Sequence, residues 1–241
     1  MIGATTFSTQ AQTLVSLLGL SDPPLAITFS SESPNGVAAY EAEMPSPAPD
    51  GRTGRVSAGC VFWTKGREKT FTTAAEDHGN CSVGSLTHGF KTLEEAATGA
   101  DVAALVESEW VTPEIFPHIP TVSEKPGFVT YGPLAEAASM PDIIFLQLNG
   151  KQAMMLHDAW PDTRFEGKPQ CHIIPIAKEA GEVAISVGCM LSRVRTGMSN
   201  NEVTCAIPAD KLGDLLNRLK TANRADMKVA AYASEDAKRF G

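Results

Sequence analysis

The chain has no Cys-x-x-Cys pair, no apolar stretch long enough to cross a bilayer, and no run of lysines and arginines. The first absence removes the compact ligand spacing of most zinc fingers and bacterial ferredoxins. The second argues against a membrane-spanning helix, so no membrane partner is expected. The third, with 20 Lys+Arg against 28 Asp+Glu and a net charge of −8, argues against nucleic acid, whose phosphates demand a basic face. Also missing are a P-loop, a Gly-x-Gly-x-x-Gly after a strand, a Gly-x-Ser-x-Gly elbow and a His-Glu-x-x-His helix, which sets aside several large enzyme classes. Met1 to Leu20 carries no basic n-region and no clean apolar h-region. No signal peptide is read there, and the expected compartment is the cytoplasm. Thiols stay reduced there and serve metals or chemistry rather than disulfides. The odd count of five cysteines agrees.

What is present is an ordinary globular composition, 43% hydrophobic and 20% charged over 241 residues. The expectation is one α/β (or α+β) domain over 1–241. It would be a layered sheet with flanking helices, built as two weakly pseudo-repeated halves, 20–110 and 127–222, sharing one core. Ala11, Leu14, Val15 and Leu18 are at helical spacing, with Gly19 at the stop and Ser21-Asp22-Pro23-Pro24 beyond. Pro24–Phe29 reads as a strand. Ser30–Gly59 reads as a long loop, either a lid or a surface excursion. Thr92-Leu93-Glu94-Glu95 is a capping box opening a helix interrupted near Gly99. Prolines 113, 117, 120 and 126 mark a second irregular connection. Asp142–Leu148 is the most apolar strand, expected at the centre of the sheet, and Gly150–Trp160 a helix after it. Further strands are expected at Gly127–Leu134, Glu182–Val187 and Val203–Ile207. Pro208 opens a helix to Ala222 with a stripe of Leu212, Leu215, Leu216 and Leu219, and Asp226–Phe240 reads as a separate last helix. Lys65, Arg67 and Lys69 read as a solvated face.

Four cysteines form two similarly spaced pairs, Cys60/Cys81 and Cys171/Cys189, each with Ser-Val-Gly at its second member. Cys205, in an apolar strand, reads as a core residue. Cys81 and Cys189 fall near expected helix starts, where thiolate is favoured. Four converging thiolates bind an iron–sulfur cluster or a structural zinc. A 4Fe-4S cluster is the leading expectation for Cys60, Cys81, Cys171 and Cys189, with zinc as the alternative cofactor. His78, His88 and His172 lie near the thiols in sequence. His78 and His172 are candidate proton donors, whereas His118 and His157 read as a turn and a core residue. Arg193 is a candidate to bind a substrate carboxylate or offset cluster charge; Arg195 reads as a solvated helix end. The pairing of Cys81 with His78 as a nucleophile would leave the other thiols unexplained.

Cys60-Val61-Phe62-Trp63, His78-Gly79-Asn80-Cys81-Ser82-Val83-Gly84, Gln152-Ala153-Met154 and Ser186-Val187-Gly188-Cys189 with Ser192-Arg193 together resemble the prokaryotic family known as domain of unknown function 169. The resemblance runs from about Leu18 to Pro208. It places the family's recurrent cysteines on Cys60, Cys81, Cys171 and Cys189, leaves out Cys205, and implies a soluble cysteine protein with a cluster but no particular reaction. Glu32–Ala58 is longer than the family pattern. The expected function is a redox or lyase-type enzyme acting on a small molecule, with His172, Arg193 and His78 as catalytic candidates. A redox protein partner or a homodimer is compatible with it. The alternatives are a zinc or soft-metal carrier or sensor, and a metal-free thiol enzyme.

Overall fold

An extended chain places successive side chains on opposite faces, so a strand apolar at every position needs cover on both sides. Ile143 to Leu146 is such a run, and Leu148 continues it beyond the half-buried Gln147: Ile143 and Phe145 face one hydrophobic core, and Ile144, Leu146 and Leu148 face another. The computed structural model, which describes residues 4–41 and 59–240, is arranged around this strand. The strands are β1 (Leu25–Ser30), β2 (Phe71–Thr73), β3 (Phe128–Pro133), β4 (Ile143–Asn149), β5 (Arg164–Glu166), β6 (Ala184–Ser186) and β7 (Glu202–Pro208). They form one seven-stranded sheet in the order β2-β3-β1-β4-β7-β6-β5, with β4 in the middle as expected. Only the β5–β6 pair is parallel; the other neighbours are antiparallel. β3, from the second of the expected half-repeats, lies between β1 and β2 of the first.

One face of the sheet is covered by α1 (Ala4–Leu18), α6 (Gly150–Ala159) and α9 (Leu212–Ala237). Gly19, at φ +64, ends α1 in the left-handed region that glycine adopts without a Cβ clash. Asn149 and Gln152 form the capping box that starts α6. The other face carries short elements: α2 (Gly59–Lys65), α3 (Ser82–Thr87), α4 (Leu93–Ala97), α5 (Ala100–Glu107), α7 (Ile173–Pro175) and α8 (Met190–Thr196). The capping box read at Thr92 is present, with Glu95 N–H donating to Thr92 Oγ1 at 3.2 Å.

Two expectations change. The separate last helix does not exist: α9 runs unbroken for 26 residues. After Gly213 it holds no glycine or proline, and Asn223 and Asp226 tie its middle to Leu17 O and Lys151. Arg67 is not part of a solvated face. It is half-buried, with Nη1 3.3 Å from Asp22 and Nη2 donating to Gln147 Oε1. Of the Ser30–Gly59 loop, 42–58 lie outside the described residues, and the lid expectation falls mostly there. Tyr40, before that segment, is buried, and its N–H donates to Thr72 O at 2.7 Å.

The Leu stripe of α9 is buried as expected, with Leu215 and Leu219 at 0% exposure, whereas Tyr232 on the same helix is 68% exposed. Leu215→Ala is therefore expected to cost about 2–5 kcal/mol, and Tyr232→Ala to stay within about 0.5 kcal/mol. Urea unfolding of the two variants measures the contrast; equal losses would mean that the distal part of α9 is packed in solution.

Candidate metal centre

Each paired cysteine is held by a different local device. Cys60 is the second residue of α2. Cys81 is the N-cap of α3, and its Sγ accepts the Gly84 N–H at 3.3 Å. Cys171 is the middle of a single 3-10 turn, Gln170–His172. Cys189 is the N-cap of α8. The two N-cap placements agree with the sequence expectation of helix starts. Gly188, just before Cys189, has φ +113, and a Cβ there would lie 2.8 Å from Arg193 Nη2. Only glycine fits between that backbone turn and the guanidinium.

The four thiols are free and line one cavity. It measures about 50 Å3 and is almost wholly apolar, room for a few water-sized groups. Trp63, Leu105, Trp110, Val111, Ile115, Phe116 and Ile119 form its walls. The proline-marked connection thus supplies one side of the cavity, through the 3-10 turn Pro113–His118. Two charged side chains reach it. Asp101 is committed, accepting the Ser82 N–H at 2.8 Å and Oγ–H at 2.7 Å. Arg195 donates to Asn80 O at 3.3 Å and has no carboxylate partner among the described residues.

The thiols act on one another electrically. Burial pushes the Cys60 thiol up to about 11, and the neighbouring Cys81 and Cys189 add to the rise; the Ser192 hydroxyl and Arg195 oppose it. Cys171 is pushed well above the usual thiol range by burial, then by Cys81, Cys189 and Cys60, against a hydrogen bond from Thr87. Cys189 is raised by burial although the amides of Ser192 and Leu191 favour its thiolate; neither makes a cap hydrogen bond of normal geometry to it. Burial works against the charge of Arg195, but Cys81, Cys60 and Cys189 together hold it protonated. Among the described residues, no three His, Cys, Asp or Glu side chains stand as a group around one ion.

Of the other candidates, none lines the cavity. Arg193 secures the backbone around Cys189, donating to Val187 O at 2.8 Å, Glu202 O at 3.0 Å and Ser199 O. His172 is buried with Nδ1 3.7 Å from Glu166 Oε2. His78 is packed between the rings of Phe62 and Phe90, at 4.8 and 4.6 Å. Cys205 is fully buried in the opposite core, as expected. Arg195, read as a solvated helix end, is the cation at the thiols, while Arg193 is the one used for structure. Sequence reasoning also missed Gln170 and Ser192, both buried and both lining the cavity. Gln170 is adjacent to Cys171, and Ser192 is one turn after Cys189.

Residues 13–218 match the family described as DUF169, uncharacterised ArCR. The chain belongs to that family. No curated protein and no solved structure matches it. In this DUF169 chain no helix among the described residues is long and apolar enough to cross a membrane.

Behind the cavity lies a buried histidine pair, His78 and His88, with ring centroids 5.2 Å apart. Thr73 Oγ1 donates to Val129 O, so His78 Nε2–H donates to Thr73 Oγ1 at 3.0 Å. His88 Nδ1–H donates to Gly84 O at 2.8 Å. Burial lowers the His88 pKa to about 4 and holds His78 well below its usual value, with the charge of His88 adding to the effect on His78. Both folded-state values are depressed, so the stability they confer is present above pH 6.5 and lost as pH falls toward 4. For His88 alone the difference is worth roughly 3 kcal/mol. Chemical denaturation at pH 7 and pH 5 is expected to show this loss in the parent and a flatter profile in His88→Gln. A variant as acid-sensitive as the parent would remove His88 from the account.

Proposed function

We propose that this DUF169 protein is an iron–sulfur redox protein whose Cys60, Cys81, Cys171 and Cys189 hold one 4Fe-4S cluster. The observation that carries the reading is the convergence of four free thiols, from four separate elements, on one apolar cavity beside the guanidinium of Arg195. Buried thiolates that raise one another's pKa require positive charge to coexist. Arg195 supplies one charge; the rest calls for a metal group spanning the space between the sulfurs.

The remaining donors fit such a group. The Trp63 Nε1–H is buried, lines the cavity and has no partner among the described residues. It is a hydrogen-bond donor suited to an inorganic sulfide. The Gly84 N–H already donates to the Cys81 sulfur, and such bonds favour the more negative, reduced state. A cluster bound by four thiols would supply one-electron transfer without an open iron position, which favours redox over lyase chemistry. The chain's own part is to bind, to exclude water with the Trp110–Ile119 wall, and to offset charge with Arg195. The electron would pass to a small molecule or to a redox protein.

Anaerobic preparation is expected to yield brown protein with about four iron and four acid-labile sulfide per chain. Serine at any of the four cysteines should lower that content, and Cys205→Ser should not. Absence of both iron and sulfide would overturn the reading. Zinc alone would indicate the carrier or sensor, and no metal a thiol enzyme.

Arg195→Gln should retain the cluster and lower its reduction potential, by an amount on the order of tens of millivolts, because one nearby positive charge is lost. An unchanged potential in a fully loaded variant would mean that Arg195 is screened from the cluster.

A further inference from the structure

Residues 108–118 form one wall of the thiol cavity between two fixed points. At one end α5 is tied to α3, with Asp101 accepting from the Ser82 N–H and hydroxyl. At the other, Ile119 is buried and the Val122 N–H donates to Thr87 O at 3.1 Å. Within 108–118 no residue is buried. Its four half-buried side chains, Trp110, Val111, Ile115 and Phe116, are the four that line the cavity. Glu109, Pro113, Glu114 and His118 are exposed. The segment is apolar toward the thiols and polar toward water, with no fully buried residue to anchor it.

Its backbone hydrogen bonds are local. The N–H groups of Trp110 and Val111 donate to Leu105 O, and that of Ile115 donates to Thr112 O. Among the described residues, one side chain joins the segment by a hydrogen bond to the far side of the cavity. This is Lys168, whose Nζ donates to Trp110 O and lies 4.4 Å from the centre of the Trp110 ring. Lys168 is exposed and directly precedes Pro169, Gln170 and Cys171, which all line the cavity. Glu109 holds φ +58, a left-handed conformation that is costly for a residue with a Cβ. A segment with few buried contacts, held by one exposed cation, is where local opening costs least.

We propose that residues 108–118 are a lid over the thiol cavity, latched by Lys168 at Trp110, whose opening admits small solutes to the four thiols. Closed, it keeps water off the sulfurs; open, it gives them a route to solution. The lid goes beyond the cluster reading and does not depend on it. If the thiols hold a cluster, this is the route by which iron and sulfide enter.

The test is the rate at which N-ethylmaleimide labels each cysteine of the anaerobically purified full chain, read by mass spectrometry of its peptides, with parent and variants matched for metal content. Lys168→Met removes one charged hydrogen bond and one cation–π contact, and should label Cys171 about tenfold faster. Losing a cation disfavours thiolate and would by itself slow the reaction, so a faster rate reports access. Cys205, in the opposite core, should stay unlabelled throughout. Lys168→Arg keeps a donor and a cation over the ring and should stay near the parent rate. An unchanged Cys171 rate in Lys168→Met, a rise that Cys205 shares, or an arginine variant as fast as the methionine one overturns the proposal. Protein without iron and sulfide overturns the cluster reading and leaves the labelling result to decide the lid.

Discussion

Four thiols cannot be ionised together in an apolar cavity without a positive group among them, and this constraint organises one whole face of the molecule. Burial alone pushes Cys60, Cys171 and Cys189 up, and each thiolate raises its neighbours further. Among the described residues the countering cation is Arg195, and the Gly84 amide donates to the Cys81 sulfur. Those terms are too small to hold four negative charges. At neutral pH the cavity is therefore filled by neutral thiols, or by a group that supplies the missing positive charge. Binding of the proposed cluster would release the thiol protons and so couple its loading to pH.

The sheet separates this problem from the rest of the fold. Its other face packs on α1, α6 and α9 chiefly through Leu, Ile and Ala, with the buried Gln152 of α6 donating to Gly19 O. Stability can therefore come from that side while the thiol side is made of short turns and helices. Such elements have little intrinsic helical stability, and here they are fastened by single polar links: Asp101 to Ser82, Ser85 Oγ to His78 O at 2.6 Å, and His88 to Gly84 O. The buried histidine pair belongs to that fastening, which explains why His78 is near the thiols in sequence yet absent from the cavity.

Regular elements were legible because their signals are local. Gly19, the Thr92–Glu95 box and the two-sided apolar run of β4 each carry a boundary or a position in the sheet on their own. The continuity of α9 was not, since nothing in its sequence distinguishes a helix held by a core from one that runs on beyond it. The choice between Arg193 and Arg195 failed for a geometric reason. Residues two apart on a helix face nearly opposite sides, so α8 can offer only one arginine to the thiols. Sequence distance and helical spacing from Cys189 both favour Arg193, but its guanidinium is taken by the carbonyls of Val187, Ser199 and Glu202, which leaves Arg195 at the cavity.

On α8, Cys189, Ser192 and Arg195 recur every three residues and all line the cavity. The same offset joins Cys60 to Trp63 and Cys81 to Gly84, again with both members at the cavity. A cysteine in the first turn of a helix places the residue three positions on along the same face. Each of these thiols thus brings its own companion: an indole, a backbone amide, a hydroxyl. Cys171 breaks the pattern, since Ile174 does not line the cavity, and its companion is the preceding Gln170. The Ser-Val-Gly similarity does not share this offset: Ser82-Val83-Gly84 lies inside α3 after Cys81, whereas Ser186-Val187-Gly188 runs from the end of β6 and precedes Cys189.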